Sequence, residues 1–101
     1  MKLRKYAEAG KRYDELLKKY PQRPDAEMWK VRRGLALSLG KQPAAAIAAL
    51  EAALPTLKNK SAIAEAHYLI GASRNQLKQY DAAAKSLAAA LQADPQGDKK
   101  D

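Results

Sequence analysis

The chain has 101 residues, is rich in alanine and leucine, and carries a formal net charge of +8. It contains no cysteine and a single histidine, His67, which excludes disulfides, thiolate metal sites and nearly all His-based metal or triad chemistry. No apolar stretch approaches the roughly 18 residues that a membrane-spanning helix needs, so we expect no membrane insertion. The N-terminal residues lack the apolar run of a signal peptide, which leaves the compartment open and favours the cytoplasm over export.

The first half of the chain contains two segments of helical length. Segment one covers residues 2–20, where apolar and aromatic residues recur every three or four positions. Segment two covers residues 25–40, with Asp25 as the expected N-cap and Gly40 as the expected stop. Neither segment shows the alternation of a strand, so both are predicted to be helices.

Three more helices are predicted in the second half. The third begins at Pro43, which suits the first turn of a helix, and should end or kink at Pro55. The fourth begins after Ser61, which has nearly the spacing of a capping box. The fifth covers residues 81–93. Residues 96–101 form a polar tail.

The basic residues are concentrated near the N-terminus. Residues 1–33 carry a net charge of +6, whereas residues 80–101 carry −1. The first third is therefore the place to expect an anionic partner. Lys30, Arg32 and Arg33 fall within one helical turn, and they form either a solvated face or the anion-binding edge of a binding site.

An internal repeat organises the whole chain. When the sequence is shifted by 37 residues, it overlays itself, and the breakers divide each unit into two helices. Positions in register hold the same small or large apolar residue: Ala9, Ala46 and Ala83; Leu17, Leu54 and Leu91; Gly34 and Gly71. A fixed period of this length with two helices per unit indicates a helical solenoid.

In these positions the chain resembles the tetratricopeptide repeat (TPR) family. Residues 64–95 follow the family spacing, with Gly71, Ala83 and Pro95 at its glycine, alanine and proline positions. His67 stands where the family has an aromatic residue. The resemblance implies one domain over residues 1–95, which comprises a half repeat (1–21) and two repeats (25–58 and 62–95).

The resemblance also implies a fold and a function. The fold is an all-α, right-handed stack of five antiparallel helices, and the first helix of each pair lines a concave groove. Such domains are non-catalytic scaffolds that bind a peptide or a partner helix, without a cofactor or metal. The groove positions expected in this chain are Met28, Val31, Arg32, Leu35, Ser38, Leu39, Glu65, Tyr68, Leu69, Ala72, Asn75 and Gln76.

Two functions from different classes fit these features. A protein-binding module, whose partner would be an acidic peptide if the basic residues bind it, is favoured over a nucleic-acid-binding helical repeat. Repeat proteins that read one base per unit need polar readout residues at the same place in every unit. Here the shift pairs Val31 with Tyr68 and Leu35 with Ala72, so no such code repeats.

The two ends of the array are expected to be incomplete. Segment one has no helix before it within the sequence, and segment five has none after it. We therefore expect apolar residues such as Leu3, Tyr6 and Leu17 to be partly uncovered, together with an alanine face on segment five that includes Ala82, Ala89 and Ala93. This interpretation predicts self-association through the end helices, or their burial against a partner.

Overall fold

The computed structural model describes residues 2–94, with side chains from Lys5 onward. Within this range the chain forms five α-helices and no strand, which confirms the predicted all-α class. They are α1 (Lys2–Lys19), α2 (Ala26–Leu39), α3 (Pro43–Ala53), α4 (Lys60–Gln76) and α5 (Tyr80–Ala93). The polar tail, Pro95 and the side chain of Leu3 lie outside the described part.

The helices stack as antiparallel neighbours in two layers. Each helix packs on the next along the chain, and α2 also packs on α4. In contrast, α1, α3 and α5 make few contacts with one another. Because α2 and α4 touch while the helices of the other layer hardly do, the α2–α4 layer forms the inner side of a curved stack.

A single hydrophobic core joins the two layers. Val31 of α2, Leu50 of α3 and Leu57 of the connection to α4 pack together with the apolar face of α4. The α4 residues in this cluster are Ala62, Ala66, Leu69 and Ile70. Fully burying one large aliphatic side chain contributes about 1.5–3 kcal/mol, so this cluster holds α2, α3 and α4 as a unit.

The two repeat glycines lie at the seams of the helical hairpins, as the sequence predicts. A methyl group at Gly34 would overlap Cγ and Cδ2 of Leu50. A methyl group at Gly71 would lie 3.0 Å from Cγ of Leu87 and 3.2 Å from the carbonyl oxygen of Ala83. In both hairpins the missing side chain therefore allows the two helices to approach closely.

The breaker residues set most of the helix boundaries, and Pro55 behaves as predicted. Helix α3 begins at Pro43, and its last α-helical residue is Ala53. A 3₁₀ turn over Leu54–Thr56 follows, because the proline ring at position 55 cannot continue an α-helix. The buried Leu57 then turns the chain towards α4.

Asp25 occupies the N-cap position of α2, as predicted, whereas the predicted cap at Ser61 is wrong. Asp25 has a helical backbone and no capping hydrogen bond; its carboxylate lies 3.5 Å from the Arg23 guanidinium. At α4 the cap is Asn59, whose Oδ1 accepts hydrogen bonds from the backbone N–H of Ser61 at 2.8 Å and of Ala62 at 3.2 Å. Asn59 is the better cap because its extended backbone points the side chain back at these free N–H groups.

Both inner helices end in the same hydrogen-bonded turn. Lys41 has a φ of 64° and Lys78 a φ of 63°, and the two positions are one repeat apart. In each turn the next residue donates to the carbonyl five residues back, from Gln42 to Leu37 and from Gln79 to Arg74. These are Schellman turns with lysine where glycine is usual. Helix α2 does end before Gly40, but that residue has a φ of −82° and is not the left-handed one.

Candidate functional site

The inner helices α2 and α4 are tied together at their N-terminal ends. Glu27 Oε1, in the first turn of α2, accepts hydrogen bonds from the backbone N–H of Lys58 at 2.8 Å and of Asn59 at 3.0 Å. These two residues lie immediately before α4. The hydrogen bonds from Asn59 and then Lys58 hold the pKa of the Glu27 carboxyl below its ordinary value of about 4.5.

A second polar cluster ties the C-terminal ends of the same helices. The Ser73 hydroxyl donates to Ser38 Oγ at 3.1 Å, and both serines are buried. Gln76 Nε2 donates to Ser38 Oγ at 2.9 Å and to the Ser38 carbonyl at 3.3 Å. Since both pairs of like ends are joined, α2 and α4 run parallel, side by side, along their length.

One side of these parallel helices remains uncovered, and we call it the α2–α4 face. It is formed by those predicted groove residues that are exposed or half-buried: Met28, Arg32, Leu35, Leu39, Glu65, Tyr68, Ala72, Asn75 and Gln76. Met28 is 38% exposed and Leu39 is 46% exposed. Large apolar side chains therefore remain open to solvent on the inner side of the stack.

Three of the predicted groove residues do not belong to this face. Val31 and Leu69 are buried in the core, and Ser38 is buried under its hydrogen bonds with Ser73 and Gln76. The prediction misplaced them because it took a whole helical side as open, whereas α2 and α4 cover one another along one edge of each. These three residues lie beneath the surface of the face and are inaccessible to a ligand.

The three neighbouring basic residues of α2, Lys30, Arg32 and Arg33, have different surroundings. Lys30 Nζ donates to Thr56 Oγ1 at 2.8 Å, and Arg33 lies 3.8 Å from the Asp14 carboxylate. Arg32 is exposed and makes no ion pair with any residue of the described range. Of the three, only Arg32 is thus available to an anionic group at the α2–α4 face. Glu65 is the exposed acidic residue on the α4 side of the same face.

A shallow cavity of about 500 Å³ adjoins the N-terminal end of the face. It lies between the start of α2 and the connection to α4, and Met28 is on its wall together with Pro24, Glu27 and Asn59. Its lining is mixed, with an apolar side at Met28 and a polar side at Glu27. Groups of three or more His, Asp or Glu residues that could hold a metal ion are absent from residues 2–94.

Comparison with protein families identifies a family that shares this architecture. The tetratricopeptide repeat model matches twice, over residues 1–62 and over residues 36–98. The chain belongs to the tetratricopeptide repeat family. The two overlapping matches agree with the parallel inner helices α2 and α4 and with the helical-hairpin stack. No curated protein and no solved structure matched the chain.

Membership of the TPR family indicates a general role for the chain. TPR repeats generally mediate protein–protein interactions and generally lack catalytic activity. On the inner helices of this TPR domain, the exposed large apolar residues are Met28, Leu39 and Tyr68. None of the helices within residues 2–94 has the length and apolar character that a membrane crossing requires.

The two ends of this TPR stack differ in the residues that they expose. From Lys5 to Lys19, Ala7 is the one exposed residue of α1 that is not charged. Tyr6 and Leu17 are half-buried, which fits the expectation that they are partly uncovered. On α5 the expected Ala82, Ala89 and Ala93 face is also half-buried against the stack. The apolar residues that are exposed on α5 are a different set: Tyr80, Ala84, Leu87, Ala88 and Leu91.

Proposed function

We propose that this TPR domain is a non-catalytic module that binds a short peptide or a helix of a partner protein across the α2–α4 face. The observation that carries the proposal is the apolar strip on α2 in which Met28 and Leu39 are exposed and Leu35 is half-buried; Ala72 of α4 is half-buried as well. Ligand side chains that cover such a strip remove apolar surface from water, which is the main source of affinity.

The hydrogen bonds beneath the strip support this role. Glu27 fixes one end of the α2–α4 pair, and Ser38 with Gln76 fixes the other. A face held at both ends loses little conformational entropy when a ligand binds, so more of the contact energy appears as affinity.

The charges of the face define the preferred ligand more closely. Arg32 on the α2 side favours an acidic group, whereas Glu65 on the α4 side repels one. In the 37-residue register Glu65 of α4 corresponds to Met28 of α2, so these two residues lie at a similar level of the parallel helices. Arg32 follows Met28 by four residues and therefore lies about one helical turn beyond Glu65, towards the C-terminal ends. We therefore propose a ligand with apolar anchors and a single acidic residue near Arg32, in place of a uniformly acidic peptide.

Selection from a random peptide library, followed by affinity measurement, tests the proposal. Leu39→Lys introduces a charge into the open strip and should weaken a selected peptide by about tenfold or more. Leu91→Lys is the matched control, since it makes the same change at an exposed leucine of α5. Equal loss of affinity in both variants, with both still helical by circular dichroism, would contradict binding at the α2–α4 face.

Arg32→Glu tests the charge preference separately. It should weaken a peptide that carries the acidic residue, and it should act mainly by slowing association at low salt. The same peptide with the acidic residue replaced by alanine should bind the wild type and the variant alike. A single-stranded oligonucleotide that competes with the peptide, and whose binding falls steeply with salt, would favour the nucleic-acid alternative.

A further inference from the structure

Helix α5 presents an apolar stripe with no covering element in the described chain. Tyr80 is 61% exposed and Leu91 is 68% exposed, and Ala84, Leu87 and Ala88 are exposed between them. Residues 80, 84, 87 and 91 are spaced by four, three and four, so they lie on one side of the helix. Such a stripe of a soluble domain marks an interaction surface.

The repeat shows what kind of element fits this stripe. One period earlier, the positions of Ala84, Leu87 and Leu91 are occupied by Ile47 and Leu50 of α3 and by Leu54 of the 3₁₀ turn. There Leu50 belongs to the core that α4 completes, and Ile47 and Leu54 pack against it. The covering helix α4 runs antiparallel to α3 and supplies small and medium apolar residues. Its contributions to the core are Ala62, Ala66, Leu69 and Ile70. The exposed stripe of α5, which we call the slot, therefore suits an antiparallel helix that carries its own stripe of alanine and larger aliphatic residues.

We propose that a second copy of this chain fills the slot with its own α5, in a two-fold symmetric dimer. Helix α5 has the required stripe, and a two-fold axis perpendicular to it makes the second helix antiparallel. The stripe is also symmetric about a point between Lys85 and Ser86. When this point lies on the axis, Tyr80 faces Leu91 of the other copy and Ala84 faces its Leu87. The interface is thus self-complementary, as a two-fold contact must be.

The other end of the molecule does not offer an alternative partner surface. In the next copy α1 already packs on α2, and Asp14 of α1 lies 3.8 Å from Arg33, so head-to-tail stacking would bring α1 against the slot. Helix α1 exposes mainly charged residues between Lys5 and Lys19. Burying these charges without partners opposes association. The two-fold contact instead joins regions without excess positive charge, since residues 80–94 carry −1 from Asp81, Lys85 and Asp94 in a protein of +8.

The size of the interface sets the concentration at which the dimer should form. A contact made mainly by one 14-residue helix per copy is smaller than the roughly 800 Å² per partner of a standard stable interface. We therefore expect a weak dimer, half-formed at a protein concentration on the order of 0.1–1 mM. Higher salt should strengthen it, because salt screens the repulsion between two positively charged copies.

Sedimentation equilibrium over a concentration series up to about 1 mM tests the dimer. Wild type should shift from monomer to dimer, and Leu91→Lys should remain a monomer. Leu39→Lys is the matched control on the α2–α4 face, and it should dimerise like the wild type. A wild type that stays monomeric throughout, or a Leu91→Lys variant that dimerises as well as wild type, would overturn the proposal.

Cysteine cross-linking tests the geometry, because the chain has no native cysteine. Ala84→Cys lies close to the proposed axis and should form a disulfide-linked dimer on mild oxidation, whereas Ala7→Cys on the exposed side of α1 should not. If a mixture of the two variants links Ala7→Cys to Ala84→Cys as the main product, the stacking is head to tail and the two-fold proposal is wrong. The dimer test and the peptide-binding test use the same two variants in opposite roles, Leu39→Lys and Leu91→Lys, so either proposal can fail alone.

Discussion

The replacement of Gly34 by alanine tests how tightly the first hairpin is packed. A methyl group at this position overlaps Cγ and Cδ2 of Leu50 and lies 2.9 Å from its Cδ1. Leu50 has an exposed fraction of 0% and is surrounded by the core, so it cannot rotate away into solvent. The two helices must then separate or the core must shift, and overpacking of this kind costs about 1–3 kcal/mol.

Helix propensity acts in the opposite direction and sets the net magnitude. Alanine is favoured over glycine inside a helix by about 1 kcal/mol. For Gly34→Ala, the packing cost outweighs this gain, and we expect a net loss of about 1–2 kcal/mol in the free energy of unfolding. For a domain of this size, such a loss lowers the melting temperature by about 4 °C or more.

Two other glycines provide matched comparisons. At Gly71 the added methyl would lie 3.0 Å from Leu87, which is 36% exposed and can move towards solvent, so Gly71→Ala should be nearly neutral. At Gly10 the nearest atom would be Cβ of Ala36 at 3.8 Å, an ordinary contact. Gly10→Ala should therefore stabilise the domain by up to about 1 kcal/mol.

Urea unfolding followed by far-ultraviolet circular dichroism measures all three variants. The expected order of stability is Gly10→Ala, then Gly71→Ala, then Gly34→Ala. Protein concentration should stay in the low micromolar range, so that self-association does not contribute to stability. A Gly34→Ala variant at least as stable as the Gly71→Ala variant would refute the argument that Leu50 is fixed and Leu87 is free to move.

Three further predictions concern the ends and connections of the inner helices. Lys78→Gly should stabilise the domain by about 0.5–1 kcal/mol, because glycine adopts the left-handed turn without strain. The control Lys85→Gly, inside α5, should destabilise the domain by about 1 kcal/mol, and thermal unfolding measures both variants. Asn59→Ala should cost about 1 kcal/mol by removing the cap of α4, whereas Asn59→Asp should retain most stability, as urea midpoints will show. Because the pKa of Glu27 is lowered in the folded state, its carboxylate stabilises the fold above about pH 4.5, and this stabilisation is lost as the pH falls through the folded-state pKa. The stability advantage of wild type over Glu27→Gln should therefore disappear in acid titrations.

The helix pattern could be predicted from sequence because its signals are local. Pro43 and Pro55 mark the bounds of α3 through ring geometry alone, and the repeat aligned Gly34 with Gly71 at the hairpin seams. The cap of α4 was harder to predict, because Asn59 and Ser61 are both good N-cap residues. Which of them caps depends on backbone angles that the preceding turn imposes.

The burial of individual groove residues was not predictable from the repeat. The 37-residue shift treats Val31 and Tyr68 as equivalent, yet Val31 is buried in the core shared with α4 while Tyr68 is exposed. The difference arises because α2 has an inner neighbour on that side, and the described chain has none beyond α4. Equivalent positions in sequence thus meet different neighbours at the end of a stack.

The exposed side of α5 was misjudged for a related reason. An alanine-rich helix carries apolar residues on several sides, so composition does not reveal which side packs inward. The sequence prediction chose Ala82 and Ala89, which pack against the stack, and overlooked Tyr80 and Leu91 as exposed residues. Only the rotation of α5 against α4, set at Gly71, distinguishes the two sides.

Amide chemical-shift mapping tests the central claim, that the α2–α4 face binds the partner peptide, most directly. The ¹⁵N-labelled domain is titrated with a library-selected peptide at a protein concentration that keeps it monomeric. The account predicts that the largest shifts occur at Met28, Leu35, Leu39 and Ala72 and that α1 changes little. Shifts concentrated on α1, or on the exposed side of α5, with the α2–α4 face unchanged, would contradict it.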